Sequence, residues 1–157
     1  MKAVLISIRP EWCDLIARGE KTLEVRKTRP KIDTPFKCYI YRTKGKVKHI
    51  LNGKWFNMPV GGSVIGEFIC DTYVIDRTFG HDALFNGAAC MTEVECAAYS
   101  TCSPIYGWHI SNLKIYEKPK KLRDFTGIKT MRDGFELRVL ERPPQSWCYV
   151  MEVNCNG

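Results

Sequence analysis

A chain of 157 residues, 45% of them hydrophobic, is long enough for one sizeable core and too short for two. No run of about 18 apolar residues occurs and no charged-then-apolar leader opens the chain, so the expectation is one soluble, cytoplasmic domain over residues 1–157. Nothing in it points to a membrane or to an obligate protein partner. The net charge of +7 is concentrated, with 14 Lys and Arg against 5 Asp and Glu in residues 1–60, and 10 against 12 in residues 61–157. Such a one-sided excess suits a polyanionic ligand, and equally a plain solvated surface.

In chain order, Ala3–Ile8 reads as a short buried strand. Pro10 suits the first turn of a helix, and Trp12, Leu15 and Ile16 recur at i, i+3 and i+4, so one side of residues 10–18 faces a core. Gly19 is a left-handed stop for that helix. In the next segment Leu23 and Val25 point one way while Thr22, Glu24 and Arg26 point the other. Lys21 lies on the turn, outside strict alternation, and joins Glu24 and Arg26 at one sheet edge. Phe36–Arg42 alternates as a strand.

Val47–Leu51 and Lys54–Met58, joined by Asn52-Gly53, read as a hairpin, a basic insertion at about 43–60 that projects as an arm. Its Lys44, Lys46, Lys48, Lys54 and Trp55 suit phosphate contact with base stacking. In the alternative, Trp55 and Phe56 pin the hairpin to the body. Gly62–Ile75 is a long strand with a bend at Gly66. Residues 76–91 read as irregular, with Phe79, Leu84 and Phe85 covering one end of the fold. Thr92 and Glu95 form a capping box that opens a helix through about Ser100. Tyr106–Tyr116 is a strand rich in aromatic and β-branched side chains. Lys118–Phe125 is a charged connection anchored by Leu122 and Phe125, and Phe135–Leu140 and Trp147–Val153 close the fold.

The eight cysteines, at 13, 38, 70, 90, 96, 102, 148 and 155, include no Cys-x-x-Cys pair. Their spacing fits no zinc site, and the lack of an export signal favours reduced, mostly buried thiols. No metal and no cofactor is expected.

Gly19-Glu20-Lys21-Thr22-Leu23-Glu24-Val25-Arg26, following a strand and a two-turn helix, resembles the signature of the ASCH domain, a relative of the PUA-like RNA-binding barrels. Tyr106-Gly107-Trp108-His109-Ile110-Ser111 looks like the family's later aromatic strand, and Ser63–Cys70 like its central one. The resemblance spans roughly residues 3–153. It implies an α+β fold around a PUA-like β-barrel, mixed and largely antiparallel, with short helices at its ends. It also implies a cleft beside the Lys-Thr-x-Glu-x-Arg strand and RNA, or a modified nucleoside, as partner.

In that cleft Glu24 would orient Lys21 and Arg26 toward a phosphate or a base carbonyl, or accept a hydrogen bond from an exocyclic amine itself. Arg9 and Lys27 would stand at its rim, and Trp108 would be a stacking wall. The bland counterpart is an exposed Lys21–Glu24 ion pair and a core tryptophan. His109 and Ser111 fall on the strand face opposite Trp108. Some small family members resemble amidohydrolases of acylated cytidines, in which the lysine matching Lys21 works with a threonine three residues on and a distant glutamate. Here Glu24 stands at the threonine position, which removes the hydroxyl nucleophile. Glu93 or Glu95 is the candidate for the distant glutamate. A ribonuclease would need His109 or Glu24 as a base beside Lys21. The expectation is therefore a nucleic-acid-binding module, including a reader of a modified base, with a small hydrolase as the alternative.

Overall fold

The computed structural model describes residues 1–153; Cys155, the last of the eight cysteines, lies outside them. Fourteen elements follow one another: β1 (Lys2–Ile8), α1 (Pro10–Ala17), β2 (Leu23–Arg26), β3 (Phe36–Arg42), β4 (Gly45–Leu51), β5 (Lys54–Val60), β6 (Ser63–Asp76), α2 (Ala83–Ala89), α3 (Glu93–Ser100), β7 (Ile105–Lys120), a 3-10 turn (Leu122–Asp124), β8 (Thr126–Met131), β9 (Gly134–Val139) and β10 (Trp147–Met151). This is an α+β fold with three short helices and a large, mostly antiparallel sheet in the order β2-β7-β6-β3-β1-β10-β8-β9. Strands β4 and β5 form a sheet of their own. Among the described residues no helix is long and apolar enough to cross a membrane.

The chain divides into two compact units. One comprises Met1–Cys13, Tyr39–Gly66 and the described residues from Ile115. In it β1 is buried on both faces from Ala3 to Ile6, and it pairs antiparallel with β10 from Lys2↔Met151 to Ile6↔Trp147. Its core gathers Leu5, Tyr39, Tyr41, Val64, Phe125, Leu140 and Val150, and Leu122 packs against them, so Leu122 and Phe125 do anchor the charged connection. That connection is shorter than expected, because β7 continues to Lys120 and β8 begins at Thr126. Gly127 hides β8 in the sequence by breaking its pattern. The glycine lets Leu140 pack close, since a Cβ there would meet Leu140 Cδ2 at 2.7 Å and make that side chain shift.

The β4–β5 hairpin turns at Asn52 and Gly53, both at positive φ, as a two-residue connection of this composition demands. Its register pairs Lys46 with Pro59, Lys48 with Asn57 and Ile50 with Trp55. Opposed residues of an antiparallel pair share a face, so Lys46, Lys48 and Trp55 lie on one side and Lys54, opposite Leu51, on the other. Trp55 is 68% exposed, which excludes its role as a pin.

The other unit comprises Asp14–Cys38 and Glu67–Lys114. Its core gathers Leu23, Val25, Phe85, Ala89, Cys96 and Ile105. The stretch expected to be irregular holds α2, capped by Asp82, whose side chain accepts from Phe85 N at 3.0 Å. Gly87 and the helix's short length obscured it. Of the three apolar residues expected to cover the fold here, only Phe85 is buried; Phe79 is 44% and Leu84 88% exposed. The capping box at Thr92 and Glu95 is present and opens α3.

Candidate nucleic-acid interface

The site is built from the end of α1. Gly19, at φ +75°, reverses the chain, and Glu20 N and Lys21 N both donate back to Leu15 O. Thr22 is held between α2 and β7: its N donates to Ala88 O, and its carbonyl accepts from Ile110 N. Strand β2 then pairs with β7 in the register Leu23↔His109, Glu24↔Trp108, Val25↔Gly107 and Arg26↔Tyr106. One face therefore carries Leu23 and Val25 into the core with Phe85. Gly107 is needed there because a Cβ would lie 2.9 Å from Phe85 and 3.0 Å from Leu23. The other face carries Glu24, Arg26, Trp108 and Tyr106, as the alternation predicted.

Lys21, Glu24 and Arg26 do converge. Arg26 Nη1 donates to Glu24 Oε1 at 2.6 Å and to Val25 O at 2.9 Å. Lys21 Nζ donates to Ala89 O at 2.6 Å and stands 3.8 Å from Glu24 Oε2. The ion pair is not the exposed one of the bland reading, because Lys21 and Glu24 are each only 3% exposed. Burial lowers the Lys21 pKa from its ordinary value, and the neighbouring Glu24 carboxylate works against that fall. Glu24 Oε2 receives no hydrogen bond among the described residues, and a buried carboxylate oxygen left so is costly.

Trp108 is fully buried, edge-on to Phe36 at 6.0 Å and to Tyr73 at 6.1 Å, and offers no face for stacking. Of the two readings of Trp108 the core tryptophan holds and the stacking wall does not, because β7 lies inside the strand order, where a large ring is drawn into the packing. Half-buried Tyr73 and Tyr106 stand 6.5 Å apart instead, and the Arg29 guanidinium lies 5.6 Å over the Tyr73 ring. Sequence reasoning missed these residues as site members. Tyr106 was findable, being the register partner of Arg26, but Tyr73 is brought in only by the strand order.

His109 stands on the opposite face, across from Leu23, and its Nδ1 is 2.6 Å from Asp71 Oδ1. The hydrogen bond from His109 holds the Asp71 carboxyl below its usual range. Ser111 Oγ donates to Ile69 O at 2.9 Å. His109 thus pairs with Asp71 on the face away from Glu24. Glu93 pairs with His81 and Glu95 closes the capping box, so each is engaged at α3. Lys27 is exposed, donating to Thr101 Oγ1 at 3.4 Å with its Nζ 5.3 Å above the Tyr99 ring. Arg9, Lys44, Lys46, Lys48 and Trp55, all exposed, belong to the other unit. Among the described residues no three His, Cys, Asp or Glu side chains are grouped to hold a metal ion, and seven cysteines are free thiols.

Three crystal structures of an ASCH protein from Zymomonas mobilis share this fold. The unmodified protein and a serine-to-alanine variant each superimpose with a TM-score of 0.66 at 19% identity, over 96% of this chain and 88–89% of theirs. A tyrosine-to-phenylalanine variant gives 0.65 at 19% identity, over 97% and 92%. No curated protein matches the sequence. The ASCH domain family model matches residues 6–120, and the chain therefore belongs to the ASCH domain family, which is generally associated with RNA binding.

Proposed function

We propose that this protein is a single-domain RNA-binding module, its sheet closed into a PUA-like barrel, that takes a base beside Glu24. The observation that carries the reading is Glu24 itself: nearly buried, clamped through Oε1 by Arg26, and with Oε2 lacking a hydrogen-bond donor among the described residues. An exocyclic amine of cytosine, adenine or guanine supplies the missing donor, as acidic side chains accept from cytosine N4 in base recognition. Tyr73 and Tyr106 offer ring faces on the same side of the sheet. Lys46, Lys48 and Trp55, aligned on one hairpin face, add phosphate contact and stacking that tolerate any sequence. The test is binding of a panel of short RNAs by fluorescence anisotropy. Glu24→Gln should change base preference, because an amide presents a donor where a carboxylate presents acceptors. Trp55→Ala should weaken all RNAs alike, by about 1–3 kcal/mol for one lost stack. Unchanged preference in Glu24→Gln overturns the base site.

A hydrolase of acylated cytidines or of RNA is supported by one observation, the burial that lowers the Lys21 pKa and so favours the neutral amine that a general base needs. Against it, the amine is tied to Ala89 O, and the position three residues on carries a carboxylate rather than a hydroxyl. Incubation with acylated cytidines and with RNA, following products by chromatography, decides it: turnover abolished by Lys21→Ala establishes the enzyme, and no product excludes it.

A further inference from the structure

A second cationic site lies wholly within the unit that holds the hairpin. An open cleft of about 430 Å³ has Tyr41, Lys44, Lys121, Arg123, Glu141 and Arg142 in its lining. Four cations thus face one carboxylate, and all five side chains are exposed. Among the described residues none of the four cations has a carboxylate within ion-pair distance. Four like charges lining one cleft make it a region of positive potential that draws an anion, the more so at low salt.

The walls of this cleft are tied down by the backbone. Thr43 N donates to Ile8 O, Gly62 N to Arg42 O at 2.7 Å, and Phe125 N to Leu122 O, while Lys121 N donates to Asp124 Oδ2. The Gly61-Gly62 pair is demanded by the geometry. Both lie at positive φ, and a Cβ on Gly61 would sit 2.0 Å from Thr43 O. A Cβ on Gly62 would press on the Lys44 side chain at 3.2 Å, so its absence leaves room for that lysine in the cleft. Buried Tyr41 forms part of the lining. The volume falls within the range of small-ligand sites and accommodates one nucleotide.

We propose that Lys44, Lys121, Arg123 and Arg142 form a phosphate-binding cleft that takes a nucleotide phosphate, either from an RNA backbone or from a free nucleotide. Guanidinium groups bind phosphate oxygens in bidentate fashion and ammonium groups as point charges, so the two arginines orient the phosphate and the two lysines attract it. The site shares no residue with the Lys21–Glu24–Arg26 cluster, and it depends on the RNA-binding reading only for the choice of polymer probe.

The test measures binding of a fluorescein-labelled single-stranded oligouridylate across a KCl series, and of uridine monophosphate and inorganic phosphate as competitors. The variants are Lys121→Ala/Arg123→Ala/Arg142→Ala and a charge-matched control, Lys118→Ala/Lys129→Ala/Arg132→Ala, drawn from exposed positions outside the cleft. Loss of three phosphate contacts should weaken RNA binding at least tenfold. It should also flatten the slope of log K against log salt by about 2, at roughly 0.7 per contact on single strands. The control should keep more of both. If uridine monophosphate binds and the cleft variant loses that binding while RNA is unaffected, the cleft stands with the free nucleotide as its ligand. Equal losses in the two triple variants overturn it, as does a wild type that binds none of the three probes. Altered base preference in Glu24→Gln alongside unchanged binding by the cleft variant removes the cleft and leaves the base site. The reverse pattern removes the base site alone.

Discussion

Replacing Glu24 by Gln keeps the side-chain volume and removes one buried negative charge. Arg26 loses the negative charge on the oxygen that it clamps at 2.6 Å, and Lys21 loses the carboxylate 3.8 Å away. Arg26 retains some contact with water and can re-solvate. Lys21, at 3% exposure, cannot re-solvate, although its bond to the Ala89 carbonyl survives. Removing one partner of a buried ion pair costs about 3–5 kcal/mol. In a chain of this size that lowers Tm by roughly 10 °C. The loss also carries a pH signature. Burial already holds the Lys21 pKa below its ordinary value of 10.5, and Glu24 is the first of the groups opposing that fall, so its removal pushes the pKa lower. The unfolded chain then binds the Lys21 proton more tightly than the native one, and stability rises with pH through the window below about 10.5. Urea unfolding at pH 7 and pH 9.5 should show part of the Glu24→Gln deficit recovered at the higher pH. Adding Lys21→Met should recover it at both, as a double-mutant coupling. A deficit under about 1 kcal/mol, or one that grows from pH 7 to pH 9.5, refutes the claim that buried Lys21 depends on the Glu24 charge.

Three further outcomes follow from the packing and the thiols. Trp108→Ala should cost about 3–5 kcal/mol in chemical denaturation, as for other fully buried large side chains, and Trp108→Phe distinctly less. Gly61→Ala should destabilise the unit by at least about 1–3 kcal/mol, since it combines positive φ with a Cβ 2.0 Å from the Thr43 carbonyl oxygen, and should loosen the base of the hairpin as read by hydrogen exchange. Exposed Cys102 should react first with a thiol reagent at pH 8, and Cys70 and Cys148 among the last. Burial pushes those two up to about 12 and about 11, leaving little thiolate, so only denaturation should reveal the full complement.

The helix stop at Gly19, the two-faced β2 and the Asn52-Gly53 hairpin were legible because each is decided within a few residues, by positive φ or by the period of two. The convergence of Lys21, Glu24 and Arg26 was legible for the same reason. Their burial was not. Strand β2 ends the sheet order, and an edge strand with charged residues on one face ordinarily leaves that face wet. Trp108 stayed open between core and stacking wall for a related reason: its neighbours Phe36 and Tyr73 come from β3 and β6, and no spacing in the sequence announces them. Helix α2 and strand β8 failed on glycines at 87 and 127, which weaken a local pattern even where tertiary contact requires or tolerates them. Asp82 three residues before Phe85 was the overlooked helix signal.

Stability alone gives little reason for a Lys-Glu-Arg group in this position. Taking Lys21 and Glu24 out of water costs several kcal/mol per ion, and well-packed apolar side chains of the same volume commonly serve as well or better. The alternation that places Leu23 and Val25 in the core would accept apolar residues at 24 and 26 without altering the register. What the charged group supplies, and an apolar one could not, is a carboxylate fixed in direction, with one oxygen saturated by Arg26 and the other short of a hydrogen-bond donor. Departures from the local rules of folding concentrate where a fold does chemistry or recognition. In this chain the departure falls on β2, within the stretch that the family model matches, and on the face that also carries Tyr106 and Trp108.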